Sequence, residues 1–502
     1  MFGRTVAEFA RLAGCILLAA PLAAQDDDPL AYARERAAAI ANLEAGVPAA
    51  CYTKTEGRHN PCWVCHTQSD FPNTTSDWTL QTEYAFSSEG RENRWTNLFK
   101  DRRAEIATIG DAEILAYIRT DNYGALREAM AKVEGYAGFR PDLDIEAGFD
   151  AQGFARDGTR WRAIRYRPFP GTFWPTNGST DDVFIRLPIA FATDEAGMAS
   201  RPVEIENYAI LERAVRDGVA AKGERYRGAA KGIAVRAGLY PEGVEFLHTV
   251  RYLDPERSTL MARRLKEVRY SKKVRDLDAW SLLRAEERES EERQNGRLPR
   301  YTGAALEGIE NGVGWRLQGF IEDRRGRLRL QTEEETRFCM GCHSHLGVTI
   351  DQTFALPRKL PGDDGWRHQD LNGQRDVPQK GHAEPEILTY FKRSGGGDEL
   401  RANDEVAARF WKNGVLDEAL VKALGAGENG LLALVGPSRQ RALALNKAYL
   451  AVVREQSYSR GRDAVPSPAT NVHTTVPEDI RAFTSEAFIF RDGSLRLAFP
   501  RR

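Results

Sequence analysis

Methionine and cysteine are scarce and neither sign of charge is in surplus: the 502 residues hold five Met, six Cys, and 71 Lys+Arg against 72 Asp+Glu, a net charge of −1. Without a basic surplus the chain lacks the counterion-displacing charge of a nucleic-acid binder. Six cysteines are too few for a disulfide-built miniprotein. A composition 42% hydrophobic and 28% charged excludes collagen-like and disordered chains. Beyond the N-terminal segment no apolar run reaches the ~18 residues of a membrane span, so the mature chain is expected to have none.

That N-terminal segment reads as an export signal over residues 1–24. Arg4 and Arg11 precede or flank an apolar stretch, residues 12–24 (LAGCILLAAPLAA), which ends in small residues before Gln25 and three aspartates. It is too short to cross a bilayer. The mature protein is therefore expected in the periplasm. Leu12-Ala13-Gly14-Cys15 matches a lipoprotein box, but almost no apolar run lies upstream of it, so lipid anchoring at Cys15 is the lesser alternative.

Four of the cysteines carry the strongest signal. Cys62-Trp63-Val64-Cys65-His66 and Cys339-Met340-Gly341-Cys342-His343 both read C-x-x-C-H, the attachment signal for c-type haem. Two thiols one helical turn apart can each form a thioether with a haem vinyl group, and the next residue projects an imidazole toward the iron. Cys62, Cys65, Cys339 and Cys342 are thus the expected attachment residues, His66 and His343 the proximal iron ligands, and two covalently bound haem c the cofactors. A zinc site would need a second ligand pair for each motif, and a redox dithiol needs no following His. Cys51 is left over and reads as a small buried apolar residue.

The residue opposite each proximal His is harder to find. Met1 lies in the leader and Met340 inside a motif, leaving Met130, Met198 and Met261, none of which follows His343. Histidine is the better supply. His59 and His345 are the distal candidates, each placed by spacing to reach a neighbouring haem. His248, within residues 245–253 (EFLHTVRYL), reads as a satisfied core histidine. The aromatic- and Pro-rich residues 168–180 suit either a loop over a haem edge or substrate pocket, or a plain packed loop.

Periodicity predicts an α+β fold. Two mainly helical, cytochrome c-like lobes, residues 29–138 and 333–485, are expected on either side of a mostly antiparallel β region, residues 141–332, with a terminal hairpin over 486–502. Strands are expected within 160–166, 183–187, 245–253, 315–321 and 327–330. Helices are expected over 111–118, capped by Asp111, and over 282–293, 386–393, 405–412 and 438–455.

The motifs resemble those of c-type cytochromes, and residues 45–125 resemble a small class I cytochrome c with 111–118 as its closing helix. The resemblance implies a di-haem electron carrier serving unidentified redox partner proteins. A second reading is a di-haem peroxidase or oxidase with one open-coordination haem, similar to the di-haem cytochrome c peroxidase and MauG-like family. From that family the chain departs in the separation of its motifs, Cys62 and Cys339 standing 277 positions apart, and in lacking the expected Met. Whether a substrate is turned over stays open on these grounds.

Overall fold

The computed structural model describes residues 28–37, 39–56, 59–66, 71, 86–343, 349–395, 403–463, 465–476, 490 and 493–499. At its centre is an antiparallel sheet of eight strands. They are β1 (Arg162–Ile164), β2 (Thr180–Arg186), β3 (Glu245–Leu253), β4 (Met261–Lys273), β5 (Thr302–Ala304), β6 (Gly308–Glu310), β7 (Trp315–Glu322) and β8 (Leu328–Leu330). Their order is β1-β2-β3-β4-β7-β6-β5, with β8 paired to β7. The α+β class is as expected.

Side chains alternate across a strand, so the sheet serves two cores. Phe184, Leu247, Val268, Phe320 and Leu330 face one cluster. Val183, Ile185, Phe246, Val250 and Leu317 face the other, which also takes in Trp63, Val64, Cys339 and Met340. Two motifs far apart in sequence therefore share one hydrophobic cluster. Gly341 makes the junction close: a Cβ there would sit 2.5 Å from the Gly46 carbonyl oxygen and 2.6 Å from Pro48.

The helix Asp111–Arg119 forms as expected, but Gly110 is its cap residue, and Asp111 instead pairs with Lys447 at 2.7 Å and Arg439 at 3.2 Å. Its buried Ile114 and Ile118 pack with Tyr252, Tyr449, Val452 and Val453, a cluster that contains neither motif. An amphipathic stripe specifies that a helix is covered, not by what. Here the cover is the long helix Arg439–Glu455 and the sheet, so the likeness of residues 45–125 to a small cytochrome does not extend to how its closing helix packs.

Two large elements were not foreseen, the helix Arg201–Arg216 and strand β4. Strand β4 hides from a hydrophobic-period search because several of its inward positions are charged. Arg264 pairs with Glu322 at 3.0 Å, Glu267 receives Arg269 at 2.9 Å and Arg462 at 2.7 Å, and Lys273 pairs with Asp351 at 2.6 Å. The helix expected over 405–412 is Asp404–Phe410, after which Trp411–Lys412 pairs with Val415–Leu416 as two short strands. Of the expected terminal hairpin, residues 486–489, 491–492 and 500–502 lie outside the described residues. The part that is described sets Leu497 against Gln379.

Candidate functional site

Both motifs fold as the same turn. Pro61–Val64 is a 3-10 turn whose cap Asn60 accepts from the Trp63 N–H, and Phe338–Gly341 is its counterpart, entered from the helix Glu333–Arg337. In each, the backbone N–H of the second Cys and of the His donates to the carbonyl of the first Cys. The distances are 3.0 and 2.7 Å to Cys62, and 3.2 and 3.1 Å to Cys339. The entry to the second turn is fixed by a capping box, in which Thr332 and Glu335 satisfy each other's backbone N–H groups.

The two turns open onto one space. A cavity of about 1250 Å³, part of it open to solvent, is bordered by Cys65 from the first motif and by Cys339, Cys342 and His343 from the second. A smaller one of about 500 Å³ continues toward the sheet and shares with it His248, Arg269, Cys339, His343 and Phe354. Apolar walls come from Phe169, Phe173, Phe338 and Phe354. The aromatic segment 168–180 therefore lines the cavity rather than packing idly.

The imidazole of His343 is held in one orientation: its Nδ1 donates to the Gln352 carbonyl at 2.5 Å, which leaves Nε2 for a ligand. Burial pushes its pKa down to about 4, so at neutral pH the ring is uncharged, the form that binds metal. The carbonyl it uses sits in an unusual stretch. Asp351 and Gln352 both have left-handed backbone, with φ of +46° and +68°. Burial raises the Cys342 and Cys62 thiols to about 11.

Charge at the cavity is concentrated on one wall. Glu267 collects Arg269 and Arg462, and both guanidinium groups lie near the ring of Phe338, at 5.9 and 4.6 Å, immediately before Cys339. Lys266 borders the same wall and donates to the Gly178 carbonyl at 2.7 Å. Apolar faces, a wall on which Lys266, Arg269 and Arg462 stand with the carboxylates of Glu267 and Asp463, and paired thiols beside a fixed imidazole suit a flat apolar group with polar substituents, and haem has that chemistry. Among the described residues no group of three or more His, Cys, Asp or Glu is placed to hold a bare metal ion.

The other residues singled out in the sequence fall elsewhere. His66 follows its turn as His343 does, but residues 67–70 lie outside the described residues. His59 lies against Gly395 at the end of the helix Glu386–Ser394 and borders neither cavity. His345 lies outside the described residues, as does Cys15. Cys51 is exposed, not buried. His248, read as core, borders both cavities. Arg269, Arg462 and Phe354 were not singled out at all. Strand alternation carried a signal for His248, since it falls on one face with Phe246 and Val250, but register with a neighbouring strand decides what it meets.

Comparisons with known proteins give a different ancestry from the one the motifs suggested. A family model described as "-like lipoprotein" matches residues 35–403. A protein of Aquifex aeolicus (strain VF5), named "Uncharacterized lipoprotein", is 33% identical over 503 aligned residues, which cover 84% of this chain and 86% of that one. No solved structure matches. The resemblance to the cytochrome c superfamily and to the di-haem peroxidase and MauG-like family is thereby corrected. The functions drawn from it, electron transfer and the peroxidase or oxidase alternative, are corrected with it, since neither match describes a cytochrome, haem, iron or electron transfer. The physical reason is that C-x-x-C-H is five residues long and specifies a turn, not the fold around it.

Proposed function

The chain belongs to that lipoprotein family, and on that premise we propose that it is an exported, lipid-anchored protein whose sheet-walled cavity holds covalently attached haem c. The observation that carries this reading is the repeated turn: two C-x-x-C-H segments with the same hydrogen bonds border one cavity. Cys339 and Cys342 would hold the group at the second motif with His343 on the metal, and Cys62, Cys65 and His66 would do so at the first. When bound, haem supplies an iron centre whose behaviour is set by its axial ligands and surroundings. The protein's part is to fix the His343 ring through Gln352, to exclude water with Phe169, Phe173 and Phe354, and to set Lys266, Arg269 and Arg462 where polar substituents are received.

Family membership also favours the alternative that the leader alone made the lesser one, a lipid on Cys15. No helix among the described residues is long and apolar enough to cross a membrane, so such an anchor would be what holds the chain at a membrane. Cys15→Ala is expected to remove palmitate labelling and move the protein from the membrane to the soluble fraction. Unchanged labelling would rule out Cys15 as the acceptor. For the cavity, the test is absorption after denaturation and solvent extraction. A thioether-linked haem stays with the polypeptide, whereas a chain without haem absorption at any stage would end the reading.

A further inference from the structure

We propose that His248 is the second imidazole of the site built on Cys339, Cys342 and His343, meeting from the sheet side the group held there. The inference rests on the haem reading above and concerns which residue of this chain joins His343 in binding the group held there. Of the candidates from spacing, His59 lies against Gly395 and borders neither cavity, and His345 lies outside the described residues.

His248 stands in the middle of β3, paired with Val183 of β2 and Arg269 of β4. With Cys339 and His343 it borders both parts of the cavity. Its ring is fixed on its other sides. Phe173 meets it edge-on at 5.1 Å between centroids, and Phe354 does so at 6.3 Å. Its Nε2 lies 3.1 Å from the Asp181 carboxylate, which is buried and also receives the Tyr166 hydroxyl.

A histidine that binds a metal characteristically donates its other ring N–H to a carboxylate or carbonyl, which fixes its tautomer and orientation. Both imidazoles that border this cavity do so, His343 to the Gln352 carbonyl and His248 to Asp181. With Nε2 engaged, Nδ1 of His248 is the atom left to bind.

The fold contains its own control. His368 also pairs with a buried carboxylate, Asp182 at 3.0 Å, but it stacks on Phe149 and Phe184 over the other face of the sheet and borders neither cavity. A carboxylate-bound histidine is therefore not enough. What distinguishes His248 is that it borders the cavity together with His343.

The test uses the full chain, produced in a periplasm that attaches haem c, with oxidised-state electron paramagnetic resonance and optical spectra as the readout. His248→Ala is expected to convert one low-spin iron to high spin, with added imidazole restoring the low-spin signal. His368→Ala is expected to leave the spectrum unchanged. Asp181→Asn, which keeps the shape of the wall and the imidazole, is expected to shift the low-spin signal without abolishing it, and so guards against a His248→Ala chain that fails to fold. A low-spin signal that survives His248→Ala intact, in a chain whose mass shows haem at Cys339 and Cys342, overturns this inference alone. A chain that gains no haem mass overturns the reading beneath it and this inference together.

Discussion

Asp351→Ala is expected to lower the unfolding free energy by about 3–5 kcal/mol, the cost of leaving a buried charge without its partner. Lys273 Nζ donates to both carboxylate oxygens of Asp351 at 2.6 Å, and the two residues are 1% and 3% exposed. The same carboxylate accepts from the Trp315 indole at 3.2 Å and the Tyr240 backbone N–H at 2.8 Å. Four bonds therefore converge on one side chain whose own backbone is left-handed, a conformation that costs on the order of 1–3 kcal/mol outside glycine and persists only where its surroundings hold it.

The consequence reaches the site because the next residue is Gln352. Once Asp351 lets go, the Gln352 carbonyl is no longer aimed at His343 Nδ1, and the imidazole loses its fixed orientation. Chemical denaturation of Asp351→Ala checks the stability, and the double variant Lys273→Met with Asp351→Leu separates charge from shape. Removing both charges is expected to recover more than half of the loss, because the ammonium is no longer stranded. A single variant within about 0.5 kcal/mol of the parent, the range of an ordinary surface substitution, would contradict the account.

Glu386→Ala is expected to destabilise by a similar amount, about 3–5 kcal/mol. Glu386 opens the helix Glu386–Ser394 and receives both arms of Arg358, at 2.8 and 2.7 Å, as well as Arg167 at 3.2 Å. All three are essentially without solvent exposure. Among the described residues, truncation would leave two buried guanidinium groups with Asp376, 3.0 Å from Arg167, as the one carboxylate still paired to either. Glu386→Gln keeps the shape and some of the bonds and is expected to lose less. Arg358 also donates to the carbonyls of Arg167 and Pro168, so the cluster ties down the start of the loop that supplies Phe169 and Phe173 to the cavity wall. The same variant is therefore expected to make the cavity leakier as well as the chain weaker, which quenching of the intrinsic fluorescence by a soluble quencher can follow.

What the sequence disclosed depended on how local the determinant was. Strand β3 runs over the same residues 245–253 that alternation marked, and helices Ala279–Gln294, Glu386–Ser394 and Arg439–Glu455 fall where the 3.6-residue period placed them. Strand β4 was invisible because Arg264, Lys266, Glu267 and Lys273 occupy positions where a half-buried strand ordinarily carries apolar residues. Their burial is made tolerable by partners from distant segments, Glu322, Arg462 and Asp351 among them. The convergence of the two motifs was illegible for the same reason: nothing near Cys62 or Cys339 records that residues 46–48 seat against Gly341. His248 was legible as a strand residue, but its partner Asp181 is set by the register of β2 on β3.

The measurement that goes most directly to the central claim is the mass of the full chain after export in a host that attaches haem c, followed by peptide mapping of both motifs. The account predicts an increase of two haem masses in the intact chain, one on the peptide containing Cys62 and Cys65 and one on that containing Cys339 and Cys342. Cys339→Ser with Cys342→Ser should remove one of them and leave the other. Four cysteines recovered as unmodified thiols would contradict it.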